Sequence, residues 1–249
     1  MMNTTRIFLI TLAVCLETAE AFVSQPPQRT HQFNNVCPSS SLLSHSTRLF
    51  STSSSSSIRF LGRGPNAIVR PGVVLLAPAE EFHHYLRQSA VYIYAIGLNE
   101  DSHSPDDEWM VRGVIVDHPT PFTMGEMMEV KNESGGVFDN LIYRGGDTGG
   151  ESAFCLHSFE DLGSDEIGTS GIYQGGDLEK MDDTSKVKFF FNFMEFSEKE
   201  LEDMLEISHE DGDCWTAVEV PPEIILDSSY DRGDAWARLR NAILEERKE

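Results

Sequence analysis

Positive charge is scarce in most of this sequence, and negative charge is missing from one stretch of it. Between Phe22 and Arg63 there is no Asp or Glu, and Arg29, Arg48, Arg59 and Arg63 are the only charged residues. From Gly64 onward the balance reverses, with 14 Lys and Arg against 39 Asp and Glu, a net charge of -25. A body that anionic repels phosphate backbones, which excludes unaided nucleic-acid binding. Cysteine is scarce too: of four, Cys15 and Cys37 lie before the acidic part, leaving Cys155 and Cys214. Two cysteines outside any C-x-x-C cannot build a disulfide framework, and they read as free buried thiols. No apolar run reaches the roughly 20 residues a membrane span needs. Gly-Lys-Ser/Thr and internal repeats are also lacking.

What is present explains the charge break. Met1–Arg6 is a short basic start, Ile7–Leu16 an apolar core, and Ala19-Glu20-Ala21 a small-x-small cleavage pattern, together a signal peptide over residues 1–21. Residues 22–63 are Ser-rich, acid-free and Arg-bearing, ending in the run Ser51–Ser57, a composition that suits a transit peptide and cannot pack a core. A signal peptide whose cut is followed directly by Phe22 resembles the two-part plastid presequence of algae with secondary, red-lineage plastids. The expectation is delivery to the plastid stroma, with a domain over residues 64–249 and no membrane association once the leader is removed; a secreted protein with a disordered linker is the alternative.

In the domain, Val73–Ala77 reads as a strand buried on both faces, followed by a short helix over Glu80–Gln88 carrying Phe82, Tyr85 and Leu86. Ala90–Ile96 and Trp109–Val116 are further strands around an acidic loop, Leu98–Glu108, and Asp117-His118-Pro119 stops the second of them. Thr123 and Glu126 form a capping box for a helix through Met128, and Ser197 and Glu200 another for a helix through about Ile207. Leu141–Tyr143 is an edge-like strand, Ala153–His157 a half-buried one, and Val187–Met194 the most strand-like run of the second half. Asp177–Met181 has one helical turn, Cys214–Val218 is extended, and Asp234 caps a last helix with Trp236, Leu239 and Ile243 on its apolar stripe. Irregular interleaving of strands and helices favours α+β over a doubly wound parallel sheet.

The stretch from Asn140 to Asp177 holds two glycine-rich turns, Arg144-Gly145-Gly146-Asp147 and Gln174-Gly175-Gly176-Asp177. Asp147-Thr148-Gly149 is the tripeptide of aspartic proteases, yet those need two carboxylates sharing a proton, and one copy occurs here. A phosphate cradle would need a helix after the glycines, and a strand comes next instead. Cys155 and His157 alternate onto one strand face, as half of a metal set or a Cys–His nucleophile pair, or simply as core. No third ligand has metal-like spacing, so no metal or cofactor is expected.

The order of motifs resembles the YqgE/AlgH family over about Arg70 to Leu244. The family's first apolar strand with a proline is Val73–Pro78, its helix phenylalanine Phe82, and its S-V-V-Y-I strand Ser89-Ala90-Val91-Tyr92-Ile93. G-I-I-V-N-x-P corresponds to Gly113–Pro119, G-G-P to Gly145-Gly146-Asp147, and L-H-T to Leu156-His157-Ser158. G-W-x-x-G-Q-L-E survives only as Glu195–Glu202, G-x-W loosely as Gly212–Trp215, and the closing Trp is Trp236. Asp147 replaces a proline, and the helix entry lacks the family's Trp and Gln.

The resemblance implies an α+β domain with a bifurcated, partly barrel-like mixed sheet flanked by helices. It also implies a link, by name, to transcriptional regulation of alginate synthesis. It brings no catalytic mechanism or cofactor. The resulting expectation is a soluble, non-enzymatic plastid protein that works through a protein partner, with no direct nucleic-acid contact. His118, Arg144, Asp147, Cys155 and His157 are the candidate groove residues, grouped by motif position, and none is assigned a catalytic role. The rival is a small-ligand enzyme or hydrolase using Cys155 and His157, or Asp147.

Overall fold

A computed structural model describes residues 58–98, 109–128, 136–209 and 211–246. The expected signal peptide, the expected transit segment up to residue 57 and most of the acidic loop lie outside the described residues. Ten strands form one open mixed sheet: β1 (Arg59–Arg63), β2 (Val74–Leu76), β3 (Ala90–Leu98), β4 (Trp109–Ile115), β5 (Pro119–Thr123), β6 (Leu141–Arg144), β7 (Thr148–His157), β8 (Tyr173–Gln174), β9 (Val187–Ser197) and β10 (Thr216–Glu219). The helices are α1 (Met124–Met127), α2 (Glu198–Glu206), α3 (Pro222–Leu226) and α4 (Asp234–Glu246). The chain is an α+β protein.

The sheet runs β1-β10-β2-β3-β4-β9-β6-β5, and β7 joins β9 as a branch that carries β8. All pairings are antiparallel except β6 with β9. In the first wing, residues alternate between two cores with the period of two that extended backbone imposes. Val74, Leu76, Ala90, Tyr92 and Val114 pack on one face, while Leu75, Val91, Ile93, Val111 and Ile115 pack on the other. Ile225 and Leu239 of α3 and α4 cover the first face, and Leu201 and Leu205 of α2 the second. The doubly buried apolar strand read at 73–77 results from this covering of both faces.

The branch is made by β9. Its Phe189–Phe191 pair with β6 on one edge and β7 on the other, and its Met194–Ser197 pair with β4. Between these halves Asn192 takes a positive φ of 59°. Gly145 sits at the fork, donating its N–H to the Phe191 carbonyl and accepting from the Ile115 N–H. A Cβ on Gly145 would run into the Asn192 carbonyl, and one on Gly146 into the Phe193 backbone. The first glycine pair therefore exists for close approach of two backbones at the split in the sheet.

Both capping boxes form as read, at Thr123–Glu126 and Ser197–Glu200, because they depend on residues three apart and on nothing distant. Three local readings differ. Residues 80–88 make turns and no helix: only Leu86 among its three apolar residues is buried, and Phe82 is 86% exposed. So short a segment with one anchored side chain does not meet the cost of helix nucleation. Pro119 begins a strand instead of stopping one, because β5 is an edge where a missing N–H is tolerated. This places Leu141–Arg144 inside that wing and away from its edge. Finally, the sheet takes in Arg59–Arg63, ahead of the compositional boundary at 63/64, since Leu61 enters the core under α2.

Candidate functional site

Where β4 ends, Val116-Asp117-His118 carries the chain over to β5. Asp117 is fully buried, its carbonyl accepts the Arg232 N–H at 2.6 Å, and neither carboxylate oxygen has a hydrogen-bond partner. Burial pushes its pKa up to about 7; Lys188 and the nearby backbone N–H of Trp236 pull it back, and Asp231 adds to the rise. Lys188, 2% exposed on β9, holds Asp231 at 3.3 Å and stands 4.0 Å over the Tyr143 ring. The Tyr143 hydroxyl donates to the other Asp231 oxygen at 2.8 Å. Burial lowers the Lys188 pKa against the pull of Asp231, and burial with the bond to Asp231 raises that of Tyr143. One buried lysine thus faces two carboxyl groups, and burial favours the neutral form of the one that lacks hydrogen bonds.

This buried set opens to the surface at His118. Its Nε2 lies 3.9 Å from the Asp117 Oδ1, and its side chain is 35% exposed. Burial, then the Arg144 charge, holds its pKa below the usual imidazole range, so the ring is neutral at pH 7. The pairing of β5 with β6 sets Arg144 alongside, with the Arg144 N–H donating to the His118 carbonyl at 2.8 Å. The guanidinium lies 4.5 Å over the Tyr85 ring and donates from Nη2 to the Tyr85 hydroxyl at 2.6 Å. His84 meets the same ring edge-on at 4.9 Å.

The structure therefore brings His118 and Arg144 together and sets the other three candidates apart from them. Cys155 and His157 do share the branch-core side of β7, with no hydrogen bond between them. The Cys155 thiol donates to the Gly175 carbonyl at 3.3 Å, and burial pushes its pKa up to about 12. His157 is fully buried and stacks 5.8 Å from Tyr173; its Nδ1 accepts the Phe159 N–H at 3.2 Å, which puts the ring proton on Nε2. Burial lowers its pKa. Asp147 is exposed, and its Oδ1 accepts the neighbouring Thr148 hydroxyl at 3.4 Å. Among the described residues no hydrogen bond links Asp147 to Cys155 or His157. The second glycine turn is structural: Gly175 donates to the Cys155 carbonyl, and Gly176 takes φ 90°, where an added Cβ would also come within 3.0 Å of the Ser164 hydroxyl.

Among the described residues no three His, Cys, Asp or Glu gather as a metal site would require, and no helix is long and apolar enough to cross a membrane. A cavity beside Arg63, Cys214 and Arg240 holds about 30 Å³, room for one or two waters. Sequence reading missed Tyr85, Asp117, Tyr143, Lys188 and Asp231. Two signals could have found part of this set: Lys188 is the lone charge in Val-Lys-Phe-Phe-Phe, and Asp117 directly follows Val-Ile-Val.

The family model described as AlgH-like matches residues 103–244. No curated protein matches the chain. Among solved structures, protein DIP2367 from Corynebacterium diphtheriae is 17% identical, covers 70% of this chain and 89% of its own, and has a TM-score of 0.48. The solution structure of the AlgH protein from Pseudomonas aeruginosa is 16% identical, covers 63% and 80% respectively, and has a TM-score of 0.42.

Proposed function

This chain belongs to the AlgH-like family, and on that premise we propose a plastid protein that acts by holding a partner and turns over no substrate. The observation that carries this reading is the exposed corner around Tyr85. An arginine over a tyrosine, with the half-buried His118 alongside and the exposed Phe82 three residues before the tyrosine, gathers the side chains that dominate binding surfaces. The chemistry needed by the rival enzyme is poorly supported. A Cys155 thiol held near 12 supplies almost no thiolate at neutral pH, and Asp147 lies in water beside a threonine. Any regulatory role runs through protein contacts, since a body of net charge -25 repels DNA.

Phe82→Ala and Tyr85→Ala variants test the reading. Phe82→Ala is expected to keep the wild-type melting temperature, Tyr85→Ala to lower it because its ring packs on the core, and both to lose a partner recovered with the wild-type chain. A metabolite that raises the melting temperature with concentration, or any measured turnover, overturns it. One arrangement favours a second reading: a neutral His118 imidazole backed at 3.9 Å by Asp117 is a composition suited to general acid–base work. Turnover lost in both His118→Gln and Asp117→Asn would select that reading. For the destination, residues 1–57 fused to a fluorescent protein are expected to carry it to the plastid; export from the cell overturns that part alone.

A further inference from the structure

Deepening the partner-binding reading, and resting on it, we propose that Arg144 is the receiving point for an oxyanion, a carboxylate or phosphate, borne by an exposed segment of a protein partner. Acids outnumber bases heavily in this chain, and most of the described cations pair with them. Among the described residues Arg63, Arg87, Lys199 and Arg232 share with Arg144 the lack of an ion pair, and of these five only Arg144 is held on an aromatic ring. Arg70, Arg112, Lys188, Arg238 and Arg240 each reach a carboxylate. Arg144 reaches Tyr85 instead, and among the described residues it makes no ion pair. The contact with the ring and the bond to its hydroxyl together hold the guanidinium in place. The remaining N–H donors then form a preset fork of the kind that matches carboxylate or phosphate oxygens two at a time.

The surroundings fit the same occupant. The His84 ring lies 4.9 Å from Tyr85 and the His83 ring 6.2 Å from it, and the His118 carbonyl anchors the Arg144 backbone. The acids nearest in sequence are engaged elsewhere. Glu81 accepts from the His83 N–H and the Trp215 indole, Glu80 faces His209, and Asp147 accepts from Thr148. Phe82 offers an apolar contact for a neighbouring side chain of the same segment. The whole body still repels an anionic molecule at long range. The partner is therefore neutral or basic overall, and its acidic or phosphorylated segment is local.

The test uses the full chain and three labelled heptapeptides of one sequence, with Glu-Glu, phosphoserine-Gly or Gln-Gln at the centre, read by fluorescence anisotropy. The two anionic peptides are expected to bind at least about tenfold more tightly than the Gln peptide. Arg144→Ala is expected to remove that difference, and Arg144→Lys to keep about a third of the affinity, because an ammonium lacks the fork. The order of the two anionic peptides identifies carboxylate or phosphate as the natural group. Equal binding of all three peptides, or no effect of Arg144→Ala, overturns the proposal. So does binding of inorganic phosphate with no peptide binding, which would mark a site for a free ion. A cellular partner that co-elutes equally with Arg144→Ala and with the wild type overturns the oxyanion site and leaves the partner-binding reading standing.

Discussion

Asp117 is a fully buried carboxyl group whose two oxygens have no hydrogen-bond partner among the described residues. Its folded pKa, about 7, stands above the ordinary 3.8, so the folded chain keeps a proton that the unfolded chain has released. The stability tied to this proton is complete below about pH 4, declines through the interval up to pH 7, and is absent above it. Asp117→Asn is accordingly expected to raise stability at pH 8 by on the order of 3 kcal/mol and to change little at pH 4. Urea unfolding of both proteins at the two pH values reads the difference. Cys155 gives a second expectation. With its pKa pushed up to about 12 and its proton given to Gly175, it is expected to resist iodoacetamide at pH 7.5 and to react only as fast as the chain unfolds. Labelling at a rate independent of denaturant would contradict that placement. Cys155 was legible as a free buried thiol from the cysteine count, whereas the buried, unpartnered Asp117 was not: Asp-His-Pro reads as a strand stop until the loop carrying Asp231 and Arg232 is folded over it.

At the level of elements, success and failure of the sequence reading separate by range. The helix caps were legible because Thr123 and Ser197 answer to residues three positions on. The strands 73–77 and 90–96 were legible because doubly buried strands are continuously apolar. Pro119 and Pro121 hid β5, since only its position at an edge makes such a strand permissible. The bifurcation came from family resemblance. Its cause is two backbones touching at Gly145 and Gly146, and β9, distant in the chain, has to be in place beside β6 for that contact to be seen. Gly146→Ala is expected to lose about 3 kcal/mol or more, because a Cβ there enters the Phe193 main chain. Gly150→Ala, at φ 54° with open space around it, is expected to lose about 1 kcal/mol. Thermal melts of the pair measure this, and equal losses would mean that the Phe193 main chain gives way to a Cβ at 146.

For the molecule as a whole, the two ends of the chain obey different physics. The acid-free first part and the acidic body were separable by composition, and the sheet takes in five residues ahead of that compositional break. Arg59 and Phe60 pair with Glu219 and Val218, and the Arg59 guanidinium reaches the Glu219 carboxylate at 2.9 Å. A protein starting at Gly64 is expected to be about 3 kcal/mol less stable than one starting at Ile58, since it loses the buried Leu61 and uncovers an edge of β10. Denaturation of the two truncations tests it, and amino-terminal sequencing of protein from its own cells should find the first residue at or before Ile58.

The strand β9 belongs to both wings at once, zipped to β4 along one half and clasped between β6 and β7 along the other. Neither wing has a spine of its own, so neither can come apart while the other endures. Heat or denaturant should therefore take the body down in one concerted step, with the amides of Phe189, Phe190 and Phe191 the last to exchange with solvent.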